Sequence, residues 1–134
     1  MMTSKPHYVE YYYPDREDKR KELSHMISSA NWMKYHHPEL PFCHVPNEGM
    51  IPVQYREQLL SSGMKPGCSD FLLLAPRHGF TYAAIELKRA TKDISSPVSD
   101  KQIEWLKACR AEGACSVVCY GFKSFKVFVE WYLN

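Results

Sequence analysis

Two carboxylates and a lysine lie on a pair of apolar runs, where they could form a metal-dependent hydrolytic site. Asp70 opens the first run, and Glu86 and Lys88 alternate in the second. Residues two apart in a strand share a face, so Glu86 and Lys88 point the same way. A turn containing proline and glycine joins the runs, which predicts a hairpin. If that hairpin is symmetric about His78, Asp70 lies opposite Glu86.

The predicted pairing of Asp70 with Glu86 favours a divalent cation between them. Directly opposed side chains have Cβ atoms roughly 5 Å apart, and two unpaired carboxylates at that separation repel each other. Oxygen ligands suit hard ions, so Mg²⁺ or Mn²⁺ is the expected metal. Lys88 would orient an attacking water or stabilise charge on a phosphate. The alternative is a solvated strand face that carries Glu-X-Lys by chance.

Length and composition predict a single domain in a reducing compartment. A chain of 134 residues can bury one core without staples. No apolar run approaches about 18 residues, and the N-terminus lacks an apolar signal region, so we expect no membrane association and a cytoplasmic location. The five cysteines form no CxxC motif, which favours free thiols. With a formal net charge of +2, DNA contacts must come from local patches.

The rest of the chain predicts a mixed sheet flanked by helices. A crossover helix between the hairpin and the last strand favours parallel pairing of the strands that it joins. The expected fold is therefore α/β (α+β mixed), with about four strands. In chain order we predict an irregular aromatic arm over 1–15, a helix over 15–35, a strand over 42–45, a helix over 54–62, the hairpin, a helix over 99–111, a strand over 115–121 and a last helix from 124.

Several polar residues have structural explanations that compete with chemical ones. His36 and His37 end the first helix before a proline, and we favour exposed histidines there over a metal site because adjacent residues project differently. Ser99 and Gln102 form a capping box, which fully explains both. Ser124 is the expected N-cap of the last helix, and Leu23 and Ile27 are expected on the buried face of the first.

Six ordered segments of the chain resemble the VRR-NUC domain, a branch of the PD-(D/E)XK nucleases. The resemblance runs from about Glu22 to the C-terminus and implies a restriction-endonuclease-like core, with a nuclease domain over 16–134. The matching pieces are Glu22 ten residues before Trp32, Pro46-Asn47-Glu48-Gly49, the run from Gly63 to Asp70, Ile85-Glu86-Leu87-Lys88-Arg89, Ser99 with Gln102 followed by Trp105-Leu106 and Gly113, and a final helix carrying Tyr132-Leu133.

The resemblance implies a metal site built on three side chains and one backbone group. Asp70 and Glu86 would hold Mg²⁺ or Mn²⁺, with the backbone carbonyl of Leu87 as a third ligand. Glu22 matches the family's N-terminal helical glutamate, which would reach the metal directly or through water. His25 and Met26 depart from the polar pair that follows this glutamate in the family, which weakens the assignment of Glu22.

The resemblance also implies roles around the metal. Lys88 would be the catalytic lysine, and Gln102 would orient Lys88 or the phosphate, a role that can coexist with its capping box. Asn47 and Glu48 would line the cleft. Ser69 stands where the family often has proline, which affects only the stiffness of the turn. The predicted DNA contacts are Asn47, Arg56, Lys65, Arg89 and Lys101, with surface solvation as the alternative for Arg56 and Lys65.

The implied reaction is hydrolysis of a DNA phosphodiester that leaves a 5′-phosphate, with no organic cofactor. Stand-alone versions of this domain resemble small viral or phage proteins, which suggests a bacterial or phage-infected cell and a Holliday junction substrate. Symmetric junction cleavage needs a C2 homodimer, for which the aromatic arm and the last helix are candidate surfaces. The alternatives are a flap or single-strand nuclease working with a helicase, a non-catalytic DNA-binding module, and a scaffold whose motif is accidental.

Overall fold

One mixed sheet with helices on both faces organises the molecule. The computed structural model describes residues 1–46 and 50–134. Within those residues the six strands are β1 (Met2–Ser4), β2 (Val9–Tyr11), β3 (Phe42–His44), β4 (Phe71–Leu73), β5 (Tyr82–Lys88) and β6 (Ala114–Tyr120). The four α-helices of the same residues are α1 (Glu22–His36), α2 (Val53–Ser61), α3 (Asp100–Ala111) and α4 (Gly121–Leu133).

The two longest strands, β5 and β6, lie at the centre of the sheet. The strand order is β1-β2-β6-β5-β4-β3. β5 and β6 are parallel and are joined through α3, as the crossover predicted. Every residue of β6 is buried, which agrees with its uncharged sequence rich in valine and cysteine. The mixed α/β class predicted from the sequence is confirmed.

The hairpin of β4 and β5 has the predicted register. Phe71 pairs with Ile85, so the next position outward sets Asp70 opposite Glu86. His78 and Gly79 turn the chain with φ of 51° and 83°. Positive φ at both central residues is the backbone that matches the twist of a tight hairpin. The turn therefore fixes which side chains meet at the far end of the strands.

The two faces of the sheet pack against different helices and form a larger and a smaller core. Ala83, Ile85 and Leu87 of β5 pack in the larger core, with α1 and α4. The alternate residue Ala84 packs in a smaller core beneath α3. Because side chains alternate along a strand, Glu86 and Lys88 fall on the face that α3 covers.

The N-terminal residues form strands, where an irregular arm was expected. β1 and β2 make an antiparallel hairpin, and β2 pairs in parallel with β6. These two strands raise the sheet from the expected four or so to six. Tyr11 is 6% exposed and packs edge-on against Phe128 at 5.2 Å between ring centroids. The prolines and tyrosines of this segment hid the short strands, and Tyr11 is buried where β2 pairs with β6.

The first helix begins at Glu22, seven residues later than the sequence suggested. Asp15 Oδ1 accepts from the Glu17 amide at 3.2 Å, and Asp18 Oδ1 accepts from the Arg20 amide at 3.1 Å. Such local side-chain bonds to the backbone compete with helix formation. Residues 15–21 are therefore held in turns.

The buried face of α1 also differs from the expectation. Leu23 and Ile27 are 52% and 53% exposed, whereas His25 and Ser29 are fully buried. Both polar side chains make one hydrogen bond: Ser29 Oγ donates to the His25 carbonyl at 2.8 Å, and His25 Nδ1 accepts from the Phe122 amide at 3.0 Å. The second ring nitrogen of His25, Nε2, has no hydrogen-bond partner among the described residues and lies 3.7 Å from Asp18 Oδ1. Hydrogen-bonded polar groups can occupy a core, and here they shift the helix face by one position.

Ser124 lies inside α4, and its prediction as an N-cap was wrong. α4 follows β6 directly at Gly121, whose φ is 79°. A Cβ at this position would lie 2.9 Å from Ala90 Cα, so the abrupt change from strand to helix requires glycine. Ser124 Oγ instead accepts from the Tyr13 amide at 2.9 Å, which ties the N-terminal hairpin to α4.

Candidate active site

Three acidic side chains from three elements converge beneath the start of α3. One carboxylate oxygen each from Glu22, Asp70 and Glu86 lies within 4.8 Å of the others. Glu22 is the first residue of α1, Asp70 precedes β4, and Glu86 lies in β5. The hairpin register brings Asp70 to Glu86, and packing of α1 against β5 adds Glu22. The structure thus brings together the three predicted metal-binding carboxylates.

Asp70 is held rigidly by backbone groups. Its Oδ2 accepts from the Leu87 amide at 2.7 Å. Its own carbonyl accepts from the Val45 amide at 2.8 Å and contacts His44 Nδ1 at 2.7 Å. This contact of His44 was not predicted, although His44 lies in the predicted strand over 42–45. Metal binding by the Leu87 carbonyl remains a prediction.

Burial and mutual repulsion make the charged forms of the carboxylates in this acidic cluster energetically unfavourable. Burial, followed by the charge of Asp70, raises the pKa of Glu86 well above its usual range. The same two causes raise the pKa of Glu22 to about 7. Glu86 Oε1 is buried and has no hydrogen-bond partner among the described residues. An unpartnered buried oxygen among three converging carboxylates fits a hard divalent cation.

Lys88 lies beside the acidic cluster and is held by two oxygens. It is 3% exposed, and its Nζ donates to Gln102 Oε1 at 3.1 Å and to the Pro97 carbonyl at 3.4 Å. Gln102 Oε1 also accepts from the Ser99 amide at 2.9 Å, while Ser99 Oγ accepts from the Gln102 amide at 3.2 Å. The capping box is therefore confirmed, and the same glutamine oxygen contacts Lys88.

Arg89, a predicted DNA contact, is engaged with the protein's own backbone. Its guanidinium donates to the carbonyls of Lys19 at 2.6 Å, Arg20 at 3.0 Å and Ile94 at 3.3 Å. These bonds fasten the segment before α1 and the turn after β5 to each other. They give Arg89 a complete structural explanation, and a contact with DNA remains a prediction.

Two of the other predicted DNA contacts lie near the acidic cluster. Lys65 and Lys101 are exposed and line one cleft, near Asp70. Arg56 is half-buried, and its Nε donates to the Ile51 carbonyl at 3.1 Å, which stabilises the chain before α2. Asn47 and Glu48 fall outside the described residues.

The one group of potential metal ligands found among the described residues contains carboxylates and no histidine or cysteine. His36 and His37 lie against Trp32, with ring centroids 5.1 Å and 5.5 Å from the indole. This aromatic packing agrees with the non-metal interpretation of the pair. All five cysteines, each within the part of the chain that the structure describes, are free thiols, as expected.

Trp105 is the residue near the site that the chemical reasoning overlooked. Its indole N–H donates to Ser69 Oγ at 3.1 Å, directly before Asp70. The sequence offered one signal, since Trp105 lies one helical turn after Gln102 on the same helix. This bond attaches α3 to the loop that presents Asp70.

The mixed sheet, with clustered carboxylates beside a buried lysine at the end of two central strands, agrees with the fold of a known family. The VRR-NUC domain model matches residues 20–123, and the chain belongs to this family, which is a nuclease family. The match begins after the N-terminal hairpin. A solved VRR_NUC domain protein superposes with a TM-score of 0.71 at 20% identity, covering 85% of this chain and 88% of that one. At this identity the likeness establishes the fold, and comparison with curated proteins gave no match.

Among residues 1–46 and 50–134, no helix combines the length and apolarity needed to span a membrane.

Proposed function

We propose that this protein is a metal-dependent endonuclease that hydrolyses DNA phosphodiester bonds. The observation that carries the proposal is the cluster of Glu22, Asp70 and Glu86 beside Lys88, with one buried Glu86 oxygen unpartnered among the described residues. Buried like charges are costly without a counter-ion. An arrangement that accepts this cost is typical of a functional site.

The chain's residues divide the work between metal binding and positioning. Asp70, Glu86 and Glu22 would hold Mg²⁺ or Mn²⁺, with Asp70 fixed in advance by the Leu87 amide. When bound, such an ion activates water and polarises a phosphate. Lys88 Nζ, held by Gln102, would face the scissile phosphate and offset its growing negative charge.

A branched DNA substrate and a homodimer are further parts of the proposal, drawn from the resemblance to stand-alone versions of this domain. Cutting a four-way junction symmetrically would require two sites related by a two-fold axis. The second candidate, a flap or single-strand nuclease that works with a helicase, uses the same site.

A cleavage assay with three substrates tests this proposal. The wild type is incubated with a four-way junction, a flap and plain duplex DNA, each with Mg²⁺, Mn²⁺ or EDTA. Lys88→Met keeps most of the buried volume and removes the charge, while Lys123→Ala removes an exposed lysine on α4 as a matched control. We expect paired junction cuts that EDTA and Lys88→Met abolish and Lys123→Ala preserves.

Other outcomes would redirect the proposal. Cuts on the flap alone would support metal-dependent hydrolysis of DNA and exclude cleavage of four-way junctions. Absence of metal-dependent cutting on every substrate would favour a DNA-binding module without catalysis. A titration with Mn²⁺ identifies that case. An intact site should bind Mn²⁺ in the wild type and lose affinity in Asp70→Asn, whereas a module with a degenerate site should bind no Mn²⁺ in either protein.

A further inference from the structure

A second feature lies directly beside the acidic cluster, on the outer side of α3. It is a cleft of about 350 Å³, within the range of about 300–1,000 Å³ that small-ligand sites occupy. Its lining residues are Lys65, Pro66, Lys101, Glu104, Trp105 and Ala108. None of these residues takes part in the metal chemistry proposed above.

The cleft is fixed rigidly to the Asp70 loop at two points. Trp105 Nε1 donates to the buried Ser69 Oγ at 3.1 Å, one residue before Asp70. Gly67, at φ of 86°, lies so close to α3 that a Cβ there would be 2.6 Å from the Lys101 carbonyl carbon. No larger residue fits this contact, so the loop and the helix hold the cleft in one shape.

The same helix connects the cleft to the catalytic lysine. Lys101 faces the cleft, and the next residue, Gln102, accepts from Lys88 Nζ. Trp105 follows Gln102 by three residues and is therefore its neighbour along α3. The cleft is therefore linked to Lys88 through neighbouring residues of one helix.

The lining matches the parts of a nucleotide. The half-buried indole of Trp105 has one edge bound to Ser69 and a surface in the cleft, where a base could stack. Lys65 and Lys101 are exposed and can contact the phosphates on either side of that base. Glu104 is the one acidic residue among the described residues of the lining, and its carboxylate can accept from an exocyclic amino group of a base.

We propose that this cleft binds one unpaired DNA nucleotide next to the scissile phosphate, with its base stacked on Trp105. The inference rests on the proposed nuclease function and specifies its substrate class. Inside a duplex both faces of every base are covered by its neighbours, so a paired base cannot occupy the cleft without leaving the stack. The enzyme therefore prefers DNA with unpaired nucleotides, at a junction centre, a flap or a single strand, over continuous duplex.

Tryptophan fluorescence and DNA affinity, both measured in EDTA, test the inference without cleavage. We expect an oligothymidine to quench the emission of the wild type. The quenching persists in Trp131→Phe, which changes an exposed indole on α4, and is lost in Trp105→Phe, which retains an aromatic ring and so retains affinity. Quenching unchanged in Trp105→Phe would overturn the proposal.

Affinity distinguishes a stacking surface from a purely structural tryptophan. We expect Trp105→Leu to weaken binding of the single strand roughly 5- to 100-fold and to leave duplex binding nearly unchanged. Trp105→Phe lacks the bond to Ser69 and should bind like the wild type. Equal losses on both DNAs, or losses in Trp105→Phe as large as in Trp105→Leu, would contradict stacking. Circular dichroism verifies that each variant is folded.

The nuclease proposal and the cleft proposal can be disproved independently of each other. A protein that binds single strands through Trp105 but cuts no DNA with Mg²⁺ or Mn²⁺ would overturn the nuclease and support the cleft. A protein that cuts all three substrates equally well in the wild type and in Trp105→Leu would support the nuclease and overturn the cleft.

Discussion

Asp70 has a structural role in addition to the chemical role that we propose for it. Its side chain accepts the buried amide of Leu87, and its carbonyl receives the Val45 amide. A carboxylate that is already hydrogen-bonded to a fixed backbone group needs little reorganisation to bind a cation. This arrangement also means that different substitutions at one position have different consequences.

Substitution of Asp70 by asparagine or by alanine should separate its structural role from its proposed role in metal binding. Both substitutions remove the charge and relieve its repulsion with Glu86, but only asparagine keeps an oxygen for the Leu87 amide. We expect Asp70→Ala to lower the free energy of unfolding by about 1–3 kcal/mol more than Asp70→Asn, since it leaves a buried donor unpaired. Urea unfolding in EDTA measures the difference, and equal stabilities would disprove the structural role.

The raised pKa values of Glu22 and Glu86 predict how the metal-free protein responds to pH. Glu22 has a pKa of about 7 in the folded chain against a usual value of 4.5. The folded state therefore binds more protons than the unfolded state between these values, and stability falls as pH rises through this window. Glu86 shifts in the same direction.

Thermal unfolding in EDTA and in Mn²⁺ tests this pH dependence. In EDTA we expect the melting temperature to fall from about pH 5 to about pH 8, and Glu22→Gln to flatten the slope. Mn²⁺ should raise the melting temperature most at the upper end, where the carboxylates are free of protons. A slope that Glu22→Gln leaves unchanged would rule out this origin.

At the scale of elements, the N-terminal hairpin covers what would otherwise be an open edge of the sheet. β2 pairs with β6, and Tyr13 and Ser124 join the hairpin to α4. Glu10, 5% exposed, pairs with Lys92 at 2.9 Å. The hairpin lies outside the matched family residues, yet it closes the sheet on one side.

Deleting the hairpin should destabilise the protein and promote association. Loss of residues 1–13 removes the buried Tyr11 ring, which alone costs roughly 3–5 kcal/mol, and exposes the edge of β6 to other chains. Deleting residues 1–5 removes β1 but keeps β2 and serves as the control. Urea unfolding and light scattering measure the two effects. Wild-type stability in the longer deletion would show that the edge needs no cover.

The sequence predicted those elements whose local and long-range signals agree. The hairpin register followed from alternation and from the turn at His78, and the α3 cap followed from Ser99 and Gln102. The face of α1 could not be predicted, because bonds from Phe122 and within the helix place His25 and Ser29 inside. The convergence of Glu22 with the other carboxylates came only from resemblance, since no local pattern reports packing between distant elements.

At the scale of the whole molecule, several apolar side chains of the two candidate dimer surfaces, the aromatic arm and the last helix, are buried within the monomer. Tyr11 of the aromatic arm and Phe125, Phe128 and Tyr132 of α4 are used within the monomer core. Exposed apolar side chains on helices include Leu23 and Ile27 of α1 and several on α2. None of residues 53–61, which the structure describes in full, is buried. The homodimer remains a proposal, which light scattering can test.

Salt dependence reports how many phosphates the whole surface contacts. With a formal net charge of +2, long-range attraction is weak, so we expect individual lysines to carry DNA binding. We expect the double variant Lys65→Ala, Lys101→Ala to reduce the slope of log affinity against log salt for a single strand by about 1–2. Lys123→Ala is the matched control, and an unchanged slope in the double variant would exclude both lysines from phosphate contact.

The acidic cluster gathers Glu22, Asp70 and Glu86 from widely separated parts of the chain, and Lys88 depends on Gln102 from a later helix still. During translation the first carboxylate leaves the ribosome long before its partners, and the glutamine leaves last. Fragments that end before α3 hold no complete site, whatever metal surrounds them. If the proposed function is right, cutting would therefore require that α3 has been made and has folded against the sheet, and shorter nascent or truncated products would leave DNA intact.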